Sequence, residues 1–150
     1  MKKRKGSCLC QSNQFETNGD PLRNGICYCK YCQLRTGSAF GVTYWFENKK
    51  VKFLKKKNFS KYSFTTESGN LFSIFSCKKC STSVFWTISS FPNQIAIASG
   101  LYEGKSFWKK FEKEIFTRSK PSFLKKICSV YFKTSPTYKP IKKEKKFLKG

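Results

Sequence analysis

The chain has 150 residues, the usual size of a single domain, and its 16 Phe, 7 Tyr and 3 Trp can fill one hydrophobic core. It contains no apolar run long enough for a membrane-spanning helix, which excludes an integral membrane protein of the helical kind. The formal net charge is +23, but only four of the 31 basic residues are Arg, which disfavours specific nucleic-acid recognition as the primary role.

A basic arm over residues 1–5 opens the chain. A secretory signal peptide would continue with an apolar stretch, whereas the residues that follow, 6–14, are mostly polar. We therefore expect a cytoplasmic protein with no membrane association. In that reducing compartment, clustered cysteines act as metal ligands or catalytic groups more often than as disulfides.

Five short segments after the arm have the composition of strands, because each is rich in aromatic and β-branched residues. They span residues 38–46, 59–65, 71–76, 83–88 and 94–99. Turn-forming residues separate them, and this spacing predicts a mainly β fold built from antiparallel sheets.

The C-terminal third of the chain is less regular. Apolar residues recur at helical intervals over residues 106–115, which predicts a short amphipathic helix or an irregular segment. Residues 137–150 combine a lysine run with few apolar anchors, so we expect a mobile basic tail there. The body between the arm and the tail, residues 6–136, is expected to be one domain.

Seven of the eight cysteines fall into three tight groups. The groups are Cys8 with Cys10, Cys27 with Cys29 and Cys32, and Cys77 with Cys80. In an extended segment, residues two apart point to the same side, so each CxC pair directs both thiols to one point. The CxxC pair lies between two predicted strands, where a tight turn can direct both sulfur atoms inward, as in zinc ribbons.

Seven thiols divide into four and three, and this division sets the chemistry expected of each site. Zinc bound by four thiolates is coordinatively closed, whereas three protein ligands leave one position open. Cys27, Cys29 and Cys32 lie within six residues, and we expect them to form the open site. The two remaining pairs then combine into a closed structural site, which gives two zinc ions per chain.

Other interpretations of the cysteines fit their spacing less well. An iron–sulfur cluster would use the same thiolates, but the spacings of plant-type and bacterial ferredoxins are not matched. Inert buried cysteines do not account for seven residues in paired CxC and CxxC spacing. Cys128 stands alone between Ile127 and Val130, and we expect it to be a small buried hydrophobic residue rather than a ligand.

Short motifs around the cysteines occur in a specific order along residues 6–124. They are Gly6-Ser-Cys-Leu-Cys10, Cys27-Tyr-Cys-Lys-Tyr-Cys32, Arg35-Thr-Gly-Ser-Ala-Phe40, Phe75-Ser-Cys-Lys-Lys-Cys-Ser-Thr82, Ser99-Gly-Leu101 and Ile115-Phe-Thr-Arg-Ser-Lys120. In this order they resemble the glutathione-dependent formaldehyde-activating family, whose domain is shared with centromere protein V.

This resemblance implies a β-tent fold of small antiparallel sheets held by zinc, with few short helices. It implies a structural zinc on one set of cysteines and a catalytic zinc on the other, in agreement with the division drawn from spacing. The structural set is Cys8, Cys10, Cys77 and Cys80, and the catalytic set is Cys27, Cys29 and Cys32.

The activity that gives the family its name joins formaldehyde to the thiol of glutathione, which makes this chain a candidate carbon–sulfur lyase. An open zinc would act as a Lewis acid on the aldehyde oxygen or hold a thiolate near the carbon that it attacks. Glutathione is then the expected small thiol substrate, and Arg118 is expected to attract its carboxylates. The alternative is a non-catalytic zinc module, with a structural second zinc, that contacts protein or, non-specifically, nucleic acid through its lysine-rich surface.

Three positions depart from the family pattern. Tyr28 and Glu114 stand where family members usually carry His, and Ser81 stands where Gly usually follows the CxxC pair. The chain has no His, so proton transfer would need another group. Glu103, Glu114, Tyr28 and water are the candidates, and we place Glu114 in the expected catalytic site. The competing interpretation of Glu114 is a plain surface or ion-paired carboxylate.

Overall fold

The structure is a computed structural model and describes residues 2–55, 58–104 and 110–148. It is mainly β, as predicted, with eleven strands in the described ranges. The strands are β1 (Lys3–Ser7), β2 (Gln14–Asn18), β3 (Arg23–Cys27), β4 (Gly41–Glu47), β5 (Val51–Phe53), β6 (Phe59–Thr65), β7 (Leu71–Cys77), β8 (Ser83–Ile88), β9 (Gln94–Ala98), β10 (Lys113–Ile115) and β11 (Val130–Tyr131). One α-helix, α1 (Lys30–Thr36), lies between β3 and β4. None of the described helices has the length and apolar character needed to cross a bilayer.

The strands form two sheets of unequal size. The smaller sheet has the order β1-β2-β5, and the larger has the order β11-β10-β3-β4-β9-β8-β7-β6. Pairing is antiparallel throughout, except where β10 runs parallel to both β3 and β11. The prediction of antiparallel sheets is therefore confirmed for most of the fold, and the parallel pairs are confined to one end of the larger sheet.

The two faces of the larger sheet have different roles, because side chains alternate along each strand. One face is apolar and buried and includes Tyr44, Phe46, Phe85 and Ile97. The smaller sheet packs on this face, where Phe53 of β5 lies 5.0 Å from the Phe85 ring. The core therefore lies between the sheets. The opposite face of the larger sheet is not covered by the smaller sheet and can form a binding site.

That opposite face, which we call the cavity face, carries a row of cross-strand neighbours. Register places Arg23 beside Trp45, Trp45 beside Ala96, and Ala96 beside Trp86. The row continues from Trp86 to Ile74 on β7. A basic group is thus placed among large aromatic rings on one side of the sheet.

All five predicted strands occur, with ends that differ by at most three residues from the predicted ones. The helical interpretation of residues 106–115 is wrong where it can be compared, because Lys113–Ile115 form strand β10; residues 105–109 lie outside the described ranges. Short-range periodicity missed the parallel pairing with β3, which is a long-range contact.

The predicted mobile tail covers residues 137–150, of which 149 and 150 lie outside the described ranges. The structure places the rest, residues 137–148, against the domain, and we call this part the C-terminal segment. The Lys139 N–H donates to the Ser68 hydroxyl at 3.1 Å, and the Ile141 N–H donates to the Glu67 carbonyl at 2.9 Å. Leu148 is buried. Composition missed these anchors because two of them are hydrogen bonds donated by backbone N–H groups, which leave no mark on the pattern of apolar residues.

Candidate metal centres and the adjoining cavity

The first cysteine cluster joins the end of β1 to the β7–β8 turn. The sulfur atoms of its four members lie within 4.8 Å of one another, and the members are Cys8, Cys10, Cys77 and Cys80. Sulfur–sulfur distances are 3.6 Å for Cys8 with Cys10 and 3.8 Å for Cys10 with Cys77. A tetrahedral zinc with Zn–S bonds of about 2.3 Å requires sulfur atoms about 3.8 Å apart. The donor set therefore fits one closed metal site.

Tight turns present these four sulfur atoms. Gln11 and Ser81 both have left-handed backbone conformations, with φ of 59° and 58°. Glycine adopts this conformation without the steric cost that a Cβ brings. The family's usual Gly at the position of Ser81 is thereby explained, and this chain tolerates Ser in the same conformation.

Two thiols of this cluster are acidic. Burial raises the pKa of Cys77, but hydrogen bonds from Ser12 and from backbone N–H groups outweigh it and lower the pKa to about 5. A hydrogen bond with Thr82 is the main cause that lowers the pKa of Cys80 to about 7. Thiolates are the form that binds a metal cation, so the surrounding hydrogen bonds prepare the cluster for one.

The second cluster is local in sequence and consists of Cys27, Cys29 and Cys32, whose sulfur atoms also lie within 4.8 Å of one another. Cys27 ends β3, and Cys29 caps α1 by accepting the Cys32 N–H at 3.4 Å. Gly37, with φ of 65°, ends this helix. Cys32 is thus delivered by a short helix that the sequence did not predict, and one of its own cluster partners starts that helix.

Arg35 connects this cluster to the cavity face. Hydrogen bonds from Cys27 and Cys29, aided by the charge of Arg35, hold the pKa of Cys32 well below its usual range. The Arg35 guanidinium lies 3.9 Å from the centroid of the Trp86 ring. The cluster therefore includes one thiolate-forming cysteine beside a stacked cation.

A cavity of about 800 Å³ adjoins the second cluster. All three of its cysteines line this cavity, together with Trp45 and Trp86 of the cavity face. The C-terminal segment contributes a further wall through residues that include Tyr138 and Phe147. The volume lies in the range of small-molecule sites, whereas no cysteine of the first cluster is part of the lining.

Arg118, predicted to bind a substrate carboxylate, does line the cavity but already holds a carboxylate of the protein. Its Nη1 and Nη2 donate to the two oxygens of Glu144 at 3.3 and 2.6 Å. Tyr138 also donates to Glu144. Glu144 of the C-terminal segment therefore binds the Arg118 guanidinium, which the sequence had predicted to bind a carboxylate of the substrate.

Glu114, predicted as a catalytic residue, is fully buried and does not line the cavity. It pairs in register with Ile26, so its side chain shares a face with Tyr28, whereas Cys27 points to the other side of β3. Lys120 Nζ lies 2.6 Å from its Oε1. The surface interpretation of Glu114 is therefore wrong, and the ion-paired one is confirmed.

Tyr28 and Glu114, the two positions that depart from the family's histidines, contact each other. The Tyr28 hydroxyl donates to Glu114 Oε1 at 2.7 Å, and the Ile127 and Cys128 N–H groups both donate to Oε2 at 3.1 Å. Burial raises the pKa of Glu114, but these bonds and Lys120 outweigh it and lower the pKa to about 2. The two departures together form one saturated hydrogen-bond network behind the cluster.

Sequence reasoning missed Tyr31 and Glu67, which lie in the cavity wall. The Tyr31 hydroxyl donates to the Glu67 carboxylate at 3.0 Å, and Glu67 is buried. Burial, and then the hydrogen bond with Glu67, raise the pKa of Tyr31, to which the charge of Cys29 also contributes. Tyr31 could have been noticed because it lies inside the cysteine motif, but nothing in the sequence marks Glu67. Among the other candidates, Glu103 and Tyr28 are not part of the lining.

Residues 3–119 match the model of the family described as glutathione-dependent formaldehyde-activating enzyme. The chain therefore belongs to this family. The fold is similar to the crystal structure of a Rhodobacter sphaeroides protein, with a TM-score of 0.54 and 18% identity over 67% of this chain and 88% of that one. No curated protein matches the chain.

Cys128, outside both clusters, is buried as predicted.

Proposed function

We propose that this protein is a zinc-dependent carbon–sulfur lyase acting on the adduct of a small thiol and an aldehyde, with glutathione and formaldehyde as the pair that the family name supplies. The observation that carries the proposal is the position of the three-cysteine cluster in the wall of a ligand-sized cavity. A buried cluster away from any cavity would have favoured a purely structural role.

The two clusters would hold different zinc ions. The cluster of Cys27, Cys29 and Cys32 would supply Lewis-acid chemistry, because three protein ligands leave one coordination position open. The four-cysteine cluster would hold a closed ion that stabilises the fold.

Tyr31 and Glu67 are the proposed proton-transfer pair. Forming the adduct makes one carbon–sulfur bond and moves one proton from the thiol to the aldehyde oxygen; cleavage reverses both. Glu67 can accept the thiol proton, and the Tyr31 hydroxyl, which already donates a hydrogen bond to Glu67, can donate to the oxygen. Tyr31 then recovers its proton from Glu67, so the pair returns to its starting state.

NMR exchange spectroscopy tests this proposal, because it measures the rate at which formaldehyde and glutathione interconvert with their adduct. We expect the protein to accelerate exchange over buffer. Tyr31→Phe and Glu67→Gln should each reduce the acceleration by about 100-fold, the lower range for removal of a positioned acid or base. Tyr131→Phe, at an exposed tyrosine that does not line the cavity, is the matched control.

An exchange rate equal to that of buffer, with both metals bound, would contradict the lyase. If RNA or DNA then bound with an affinity that fell steeply with salt, the non-catalytic module would replace it. Equal acceleration by wild type and both cavity variants would retain the lyase but overturn the roles of Tyr31 and Glu67.

A further inference from the structure

Arginine is rare in this chain and is concentrated at the cavity. Of the four arginines, Arg23, Arg35 and Arg118 line it, and Arg4 does not. Arg35 lies against the cysteine cluster, and Arg118 is held by Glu144. Arg23, in contrast, contacts neither a cysteine cluster nor the C-terminal segment in any interaction described above.

Two aromatic rings contact the guanidinium of Arg23. Its guanidinium carbon lies 4.4 Å from the centroid of Trp45 and 4.2 Å from that of Phe91. The Trp45 and Phe91 centroids are 5.8 Å apart and the rings are inclined at 67°, so they contact the guanidinium from adjacent directions and restrict its rotation. The guanidinium fork has the geometry that a carboxylate binds with two hydrogen bonds.

The donors of this fork are not all used. Nη2 of Arg23 is buried and has no hydrogen-bond partner among the described residues. Burial lowers the pKa of Arg23, and the charge of Glu112 only partly opposes this. A buried guanidinium nitrogen that lacks an acceptor is costly, so an acceptor that enters from the cavity would be favoured there.

The distance from the cysteines determines how far the acidic group of a ligand must lie from its sulfur. Arg23 and Cys27 are the two ends of β3 and line the same cavity. Four strand residues span about 13 Å. A ligand that extends along β3 from the cysteines to Arg23 would therefore have its carboxylate remote from its sulfur.

We propose that Arg23, Trp45 and Phe91 form a carboxylate-binding subsite that selects thiol substrates with an acidic group remote from the sulfur. This inference rests on the proposed function for the identity of the ligand. Because Nη2 is covered in this structure, we expect Phe91, on the turn between β8 and β9, to shift as the carboxylate enters. Trp45 contacts Phe91 at 5.8 Å and should report this shift through its fluorescence.

The test is binding of S-methylglutathione, which keeps both carboxylates but cannot form an adduct, measured by calorimetry and by tryptophan fluorescence. Arg23→Gln should weaken binding by at least about ten-fold, as expected for loss of a charge-assisted pair, and should abolish the fluorescence change. Arg23→Lys should lose most of the affinity too, since lysine cannot present the fork. Glutathione esterified at both carboxylates and methylated at sulfur should bind wild type as weakly as the free acid binds Arg23→Gln.

Two controls separate this subsite from general effects of charge. Arg4→Gln removes one arginine outside the cavity and should leave binding unchanged. Glu112→Gln removes the carboxylate that opposes an incoming anion and should tighten binding. Equal affinity of wild type and Arg23→Gln, or weaker binding by Glu112→Gln, would overturn the subsite. Failure of formaldehyde exchange with Arg23-dependent binding intact would overturn the lyase and leave the subsite standing.

Discussion

The two cysteine clusters use the same side chain for opposite purposes. The four-cysteine cluster draws its ligands from places 67 residues apart, with Cys10 and Cys77 in contact, and lies away from the cavity. The three-cysteine cluster draws its ligands from one strand end and the helix that follows, and lies in the cavity wall. The comparison indicates that a metal site built from distant residues stabilises the fold. A site built from neighbouring residues can be exposed to a substrate without loss of that stability.

Loss of one ligand from the four-cysteine cluster should have the largest effect. We expect Cys77→Ala to lower the free energy of unfolding by more than about 5 kcal/mol, since a structural zinc contributes about 10–16 kcal/mol in peptide models. Metal analysis and thermal unfolding followed by circular dichroism would measure this. Cys128→Ala, which removes a buried cysteine outside both clusters, should cost only about 1 kcal/mol. Comparable losses in the two variants would remove the distinction between the clusters.

The network behind β3 should come next, because it tests whether the scaffold, rather than metal alone, holds the three-cysteine cluster. Glu114→Gln leaves Lys120 in a site where it is only 12% exposed. Breaking such a pair from one side costs about 3–5 kcal/mol. Denaturant unfolding of Glu114→Gln beside Glu16→Gln, whose partner Lys3 is 65% exposed, gives the matched comparison. A cost below 1 kcal/mol at Glu114 would contradict a role for the network.

The same network should set the acid stability of the protein. The pKa of Glu114 is about 2, below the ordinary value for Glu of about 4.3. The contribution of the Glu114 carboxylate to the free energy of unfolding is therefore complete above about pH 5 and is lost as the pH falls toward 2. This loss amounts to about 3 kcal/mol. Unfolding measured from pH 6 to pH 2 should show it for wild type, and the profile of Glu114→Gln should lack that part of the slope. Superimposable slopes would mean that Glu114 is not the titrating group.

A smaller structural effect is expected at the three-cysteine cluster. Cys29→Ala should reduce the zinc content from about two ions per chain to about one, because the two clusters bind zinc at separate sites. The fold should be retained. The cost should be about 1 kcal/mol, from loss of the cap on α1. Metal content and melting temperature decide the outcome, and Cys29→Ser, which keeps a capping oxygen, is the control. Global unfolding of Cys29→Ala would reverse our assignment of structural and open sites.

The smallest effect is expected from Ser81→Gly, which restores the usual family residue beside the four-cysteine cluster. The left-handed conformation at φ 58° costs a residue with a Cβ on the order of 1 kcal/mol, which glycine partly returns. We therefore expect stabilisation of less than about 1 kcal/mol, measured as a small rise in melting temperature. Gly69→Ser, at φ 78°, should change stability in the opposite direction.

Sequence patterns predicted those parts of the molecule in which local spacing carries the information. The cysteine groups and the five central strands could be predicted because CxC, CxxC and aromatic or β-branched runs are local signals. The parallel strand β10 and the contact between Tyr28 and Glu114 both depend on register between distant segments, and the two contacting side chains are 86 residues apart. Helix α1 was missed because its seven residues, Lys30–Thr36, are too few for a periodic pattern. Glu67 was missed because a lone acidic residue in a turn carries no signal until the cavity is known.

The separation of the four-cysteine ligands also affects how the protein is made. At about 5–20 residues per second, a ribosome needs several seconds to travel from Cys8 to Cys80, but less than about one second to complete Cys27 through Cys32. The nascent chain therefore carries a finished triad while the first pair of thiols still waits for its partners. During that interval Cys8 and Cys10 are a half-site, open to oxidation or to capture by a foreign metal, and only continued translation closes it.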